Sequence, residues 1–453
     1  MSSTIGVGGM SAALDEVSSN EFDLFSPIEI DHSIVKGYEP IYRPISSTNG
    51  RGPFTFEIPQ DPNKFMSSES IRLLGRMRIR KVKTDGSLEN LAAKENVGPI
   101  NNIFQSLWSQ VDLDINGTSI TDPSEKWYAY KAYLEGLLSY SANTKSILGE
   151  VRGWVPDDHS KFEDMGADTS NDSTNEGYKK RRLLFEGSKW VDFKIPLHFD
   201  ISTVHKMLPP NVKLTITLHR NEDDFCIMQP LYNTSKFTIE VEDVKIKIRK
   251  YEVTKELMSY YNTSLKKNLP TLPIDRSLLK TYTVQRGSSD LTRYGVLSGK
   301  QLPDQVLVFM VDDSAYNGNK NSNPFNFKHN NLKEASLIVN GIHEPYDMYK
   351  LDIKNNMKNE HYINFLENTG IQPFNDSEHG ITFDDYYGGC FILAWDRSFE
   401  KCNRYHKHHM DSGIIDINLK TETPLAKNIK IVIYATYGTS LIIDGNTAIT
   451  PIF

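Results

Sequence analysis

The chain has 453 residues, of which 38 % are hydrophobic, 24 % charged and 11 % aromatic. This ordinary globular composition excludes wholesale disorder and collagen-like repetition, and the length suits two to four domains of about 100–200 residues. With 51 basic against 58 acidic side chains the net charge is −7, which argues against a dedicated duplex-binding protein, and no stretch approaches the ~18 uninterrupted apolar residues of a membrane span.

In chain order, residues 1–24 (MSSTIGVGGMSAALDEVSSNEFDL) are rich in small residues and lack the basic start and apolar core of a secretory signal. They predict a flexible arm ahead of the first strand. The three cysteines, Cys226, Cys390 and Cys402, are too few and scattered for a disulfide framework, which points to a reducing compartment. Asn-x-Ser/Thr sequons at Asn116, Asn171, Asn233, Asn262 and Asn375 are read as chance, because glycosylation needs a secretory route. The chain is expected to fold in the cytosol or nucleus and not to be secreted.

Period-two alternation then dominates, the mark of strands with one buried face. Ile71, Leu73, Met77 and Ile79 alternate with Arg72, Arg76, Arg78 and Arg80. Val111, Leu113 and Ile115 do so next, then Val212 to Leu218, then Phe237 to Ile248, where the parity slips near Asp243 and predicts a bulge. Strands follow at 306–311, 337–339, 390–395, 414–419 and 429–434. Many short strands, Gly/Asn/Pro turns and little helix indicate an all-β chain of antiparallel sandwiches.

One pattern occurs twice. QVDLDI runs into Asn116-Gly117, Pro123 and an amphipathic helix; EASLIV runs into Asn340-Gly341, Pro345 and a segment ending in YINFLE. IPLHFD at 195–200 is echoed by ILAWD at 392–396, at a shorter offset, so the first half carries extra residues. The polar, acidic stretch 156–181 is the natural place for them, since loops tolerate insertion cheaply. Two copies of one sandwich therefore meet near 253–275, where NLPTLPIDR breaks the pattern with prolines. The first-half helix is expected over 123–140, with Asp122 as cap, Pro123 at its first position and Glu125 completing a capping box. Trp127, Tyr130, Leu134, Leu137 and Leu138 share its apolar face, which must pack on a sheet or on a neighbouring subunit.

A search for chemistry returns little. Gly295-Val-Leu-Ser-Gly299-Lys300 is one residue short of a phosphate loop and reads as a turn between strands, and no Gly-x-Ser-x-Gly elbow is present. Asp312-Asp313 and Asp384-Asp385 are adjacent carboxylates, which on a strand point to opposite faces. Cys402, His406, His408 and His409 match no zinc spacing and read as an exposed basic loop. The basic runs Arg76–Lys83 and 179–182 are explained by a solvated sheet face and by balance against the acidic loop.

The strings NNIFQSLWSQVDLDINGTSI with YAYKAYLEGLLSY, AYNGNKNSNPFNFKHNNLKEASLIVNG, GITFDDYYGGCFILAWD and IVIYATYGTSLIIDGN resemble the major capsid proteins of Polinton/Maverick elements and adintoviruses. Their most specific mark is NPFNFKH, with Phe325 and Phe327. The resemblance implies a double jelly-roll: residues 25–255 as the first jelly-roll, 256–275 as linker and 276–453 as the second, each an eight-stranded sandwich. It further implies a non-enzymatic structural protein without cofactor or metal. Homotrimers would form pseudo-hexameric, hexon-like capsomers that tile an icosahedral virion beside neighbouring capsomers, penton and minor capsid proteins, assembled in the host nucleus or cytoplasm. Packaged dsDNA would be touched only weakly and non-specifically. Trp127, Tyr130 and Leu134 are expected at the subunit interface, Asn116, Gly117, Asn340 and Gly341 at hairpin turns, and 156–181 in an outward tower. The alternatives are a jelly-roll glycan-binding protein or glycan amidase using Tyr386, Tyr387 and Trp395 near Asp384 and Asp385, or a capsid-like protein retained by a host genome.

Overall fold

The computed structural model describes residues 31–45, 51–121, 126–166, 172–353, 355, 357–371, 379–398, 412–444 and 448–449. The arm 1–24, the helix-capping residues Asp122, Pro123 and Glu125, and the cluster of Cys402, His406, His408 and His409 lie outside the described residues.

Each half folds into two facing antiparallel sheets with the same connectivity, and the first half adds a short pair of Gly98–Pro99 with Ile227–Met228. In the first, the strand Lys236–Val253 pairs with Ile34–Tyr38 on one side and Lys64–Val82 on the other, and Lys64–Val82 then pairs with Val191–Pro196. The opposing sheet runs Phe54–Ile58, Leu214–Arg220, Trp108–Ile115, Thr118–Ser119. In the second half the orders are Thr271–Val284, Ile429–Ile443, Gln305–Asp312, Ile392–Asp396 and, opposite, Arg293–Gly299, Gly413–Thr421, Leu332–Val339, Ile342–Lys350. With the eight strands just named numbered in chain order within each half, both sandwiches pair them 1-8-3-6 and 2-7-4-5. That is the jelly-roll order, in which paired strands far apart in sequence bring two Greek keys together.

The alternating sequences explain the sheets. Phe56, Ile58, Leu73, Met77, Ile79, Val111, Leu113, Ile115, Leu214, Ile216 and Leu218 are all buried, facing each other across the first sandwich. At Asp243 (φ 51°) the register against the neighbouring strand shifts between Glu242 and Lys245, the bulge that the parity slip predicts. Asn116 and Asn340 both have φ 51°, followed by Gly117 at 84° and Gly341 at 86°. Two successive positive φ values make the tight hairpin turn whose twist suits the flanking strands.

Several boundaries differ from expectation. The helix spans Trp127–Leu138 rather than 123–140, with Lys126 in its N-cap position. The expected linker 256–275 holds the helix Lys255–Leu265, and the first strand of the second sandwich already opens at Thr271. Pro273 is tolerated there because this strand is the edge of its sheet, where alternate N–H groups have no ladder partner. Gly295-to-Gly299 is not a turn but the strand Arg293–Gly299, whose register slips between Arg293 and Leu297 at Gly295 (φ 62°).

Candidate functional site

The helix Trp127–Leu138 is a wedge between the two sandwiches. Tyr130 stacks on Tyr316 at 5.4 Å and meets Phe309 and Phe325 of the second half at 5.9 and 5.6 Å. Tyr133 stacks face to face on Phe325 at 4.0 Å and meets Phe327 edge-on at 5.7 Å. The Tyr130 hydroxyl donates to the Pro324 carbonyl. Phe325 and Phe327 are thus a plug from the second sandwich into the first, held by the Asn323 carboxamide, which accepts from the Phe325 amide, and by the Phe327 amide, which donates to the Gly389 carbonyl.

This corrects the expected subunit interface. Trp127, Tyr130 and Leu134 are 0, 0 and 1 % exposed within a single chain and have no surface left for another copy. Helical periodicity shows that a face is buried, not what covers it.

A polar network lies beside the wedge. The Lys131 ammonium is ion-paired to Asp200 and donates to Ser277 Oγ of the second sandwich at 2.6 Å, while Ser277 Oγ donates to Asp200 at 2.7 Å. Glu135 lies 3.6 Å from Lys131 and 2.5 Å from His198 Nδ1. Burial opposes charge on Lys131, yet the Asp200 and Glu135 carboxylates hold its pKa above the usual lysine value. Burial likewise pushes Glu135 up, but Lys131 and His198 outweigh it and hold the carboxyl below its usual range. Lys131, Glu135, His198 and Asp200 line a cleft of about 390 Å³ with Arg72, Arg152 and Tyr140. Lys131 and Glu135 are locked in their charged forms across the neutral range, which suits a structural clasp and not proton transfer at neutral pH. The sequence signal for it was slight: one lysine inside an otherwise apolar helical run, with a glutamate four residues on.

The described residues of the segment 156–181 are tied to both sandwiches. Arg181, 1 % exposed, pairs with Asp157 at 2.6 Å and donates to the Val155 and Pro99 carbonyls, and Asp157 also accepts from Asn175 and from Asn323 of the second sandwich. The Ser160 amide donates to the Gly388 carbonyl, and a Cβ at Gly389 would sit 2.3 Å from the Phe162 ring.

The first basic run is neutralised and so is most of the second, in which Lys180 is exposed and makes no ion pair among the described residues. Across the strand pair, Arg76 and Arg78 reach Glu242 and Glu240 at 2.8 and 2.6 Å and lie over the Trp190 ring. In the second run Lys179 pairs with Glu176 and Arg182 with Asp172, while Arg181 is inside. Such pairs add little stability at a surface but leave few cations to neutralise phosphates. Three of the four paired carboxylates are likewise engaged: Asp312 accepts from Lys328 and Lys427, Asp313 pairs with Lys430, and Asp385 closes a capping box with Thr382. Tyr386 and Trp395, 0 and 4 % exposed, are core residues and offer no glycan platform. Among the described residues no group of three or more His, Cys, Asp and Glu side chains is placed to hold a metal.

Two histidines packed near these aromatics set a pH response. Burial lowers His361 to about 3, and burial with the Lys145 charge lowers His379 to about 4. The unfolded chain, near 6.5, binds these protons first, so stability is full above about pH 6.5 and falls as pH drops towards 4 and 3, by up to about 1.4 kcal/mol per pH unit for each histidine. Denaturant midpoints at pH 7, 6 and 5 should show this slope, and His361→Phe, which keeps the stack on Phe391, should shrink it.

No family model matches the chain. An uncharacterized protein of Caenorhabditis elegans is 24 % identical over 382 residues, 82 % of this chain and 87 % of that protein. Among solved structures, a chain of the Sputnik virophage superposes with a TM-score of 0.65 at 10 % identity, covering 97 % of this chain and 93 % of that one. The mavirus major capsid protein gives 0.53 at 12 % identity over 97 and 94 %, and the Faustovirus major capsid protein 0.53 at 9 % over 93 % of both. With matching strand order in both halves and backbone agreement over nearly its whole length, the chain has the double jelly-roll fold of these viral major capsid proteins.

Proposed function

We propose that this protein is a structural shell subunit whose homotrimers form pseudo-hexameric capsomers of an icosahedral virion enclosing dsDNA. The observation that carries it is the union of two equivalent barrels into one block by the aromatic plug and the Lys131–Asp200–Ser277 clasp. Three such blocks around a threefold axis present six similar barrels, the outline needed to tile a plane. A closed ring uses heterologous contacts, one patch of each copy against a different patch of the next. Exposed apolar side chains suit that role: Ile147 and Val151 of the first half, 66 and 67 % exposed, and Tyr294, Ile342 and Ile414 of the second, 78, 61 and 52 % exposed. The largely neutralised basic stripes support weak, non-specific contact with the genome, and the engagement of Asp312, Asp313 and Asp385 supports a role without catalysis. Partners would be adjoining capsomers and vertex and minor shell proteins.

Light scattering and electron microscopy of purified protein test this. A stable trimer with a hexagonal outline, lost in Ile147→Asp/Val151→Asp, is expected. A monomer at micromolar concentration overturns the proposal.

A further inference from the structure

The helix Lys255–Leu265 joins the two sandwiches and buries none of its own residues. Its Thr254 cap accepts from the Leu257 amide, and Tyr261 meets Phe65 edge-on at 5.3 Å. Leu257 and Met258 are half-buried as well, but the other apolar side chains are open: Tyr260 is 72 % exposed, Leu265 36 % and Leu269, just past its end, 47 %. Eleven residues are marginal as a helix unless an apolar face is covered. Lys255, Lys266 and Lys267 are exposed, and none makes an ion pair among the described residues.

The first described residues lie beside the start of this helix. The Thr254 amide donates to the Ser33 carbonyl at 3.0 Å, and Ile34 faces Val253 in register. Residues 1–30 contain Asp15, Glu16, Glu21, Asp23 and Glu29 and no lysine or arginine. The last stretch of it, EFDLFSPIEI at 21–30, interleaves three carboxylates with Phe22, Leu24, Phe25, Ile28 and Ile30. Just after it in sequence, Ile34 and Val35 of the described edge strand are 42 and 65 % exposed.

We propose that the acidic, apolar segment 21–30 docks on the exposed face of the helix Lys255–Leu265 of the same chain. Its apolar side chains cover Tyr260, Leu265 and Leu269, and its carboxylates meet Lys255, Lys266 and Lys267. Reach is no obstacle: ten extended residues span up to ~33 Å, whereas eleven helical residues occupy ~17 Å. Tethering three residues from the helix start gives an effective concentration on the order of millimolar, so modest contacts suffice.

Hydrogen exchange on the full chain tests the contact. Helix amides 257–265 should exchange at least about tenfold faster in Phe22→Ser/Phe25→Ser than in the unaltered chain; equal rates overturn the proposal. Lys266→Glu/Lys267→Glu should also raise exchange, and Asp23→Lys/Glu29→Lys in the same chain should restore it. If the two lysines serve only the helix C-terminus, the restoring pair has no effect and the electrostatic half falls. Phe25→Cys with Tyr260→Cys, in a Cys402→Ser background, identifies the occupant. A disulfide within one chain on a non-reducing gel supports docking in cis, while a chain-to-chain link, or none, overturns it. None of these readouts depends on whether the protein forms trimers.

Discussion

Replacing Lys131 with alanine is expected to destabilise the protein by about 3–5 kcal/mol, the typical result of leaving a buried charge without its partner. The Lys131 and Asp200 side chains are each 2 % exposed, so water cannot take over the role of either. The alanine variant strands Asp200 with only the Ser277 hydroxyl and backbone amide for company, and leaves Glu135 with His198 alone. Denaturant midpoints measured on the variant should fall accordingly. Lys131→Met combined with Asp200→Leu should recover most of the loss, because removing both charges also removes their desolvation cost. A single variant as stable as the unaltered protein would mean that the clasp is not formed in solution.

Phe325→Ala should cost a similar amount, about 3–5 kcal/mol, through lost burial and the cavity left between Tyr133, Tyr130 and Phe225. Its second consequence is more diagnostic. Phe325 joins the sandwiches, so the variant should unfold in two separated transitions where the unaltered protein shows one, with proteolysis favouring cleavage around 255–270. An equal loss without separation would place Phe325 in the packing of one half only. Both results bear on the shell proposal, since a capsomer tile needs its two barrels held at a fixed angle.

Much of the framework was legible beforehand. Alternation around Ile71–Ile79, Leu214–Leu218 and Phe237–Ile248 located strands because a half-buried sheet imposes period two on its own sequence. The slip at Asp243 and the paired Asn-Gly turns were legible for the same local reason: each backbone conformation restricts the residues that can adopt it. The second echo was legible only loosely, since the first-half counterpart of Ile392–Asp396 is Val191–Pro196 and ends where IPLHFD has barely begun.

By itself, then, the sequence determined the strands, the turns and the duplication, all of which rest on interactions between near neighbours. Only the tertiary structure decided what Trp127, Tyr130 and Leu134 pack against, because an apolar helical face looks the same whether it meets its own chain or another. It also decided what the described parts of 156–181 pack against: Asp157 and Phe162 find Asn323 and Gly389 of the second half, far away in the chain, and Arg181 closes back on Asp157. Contacts of that kind leave no period in a sequence, since they depend on where two separately folded halves come to rest.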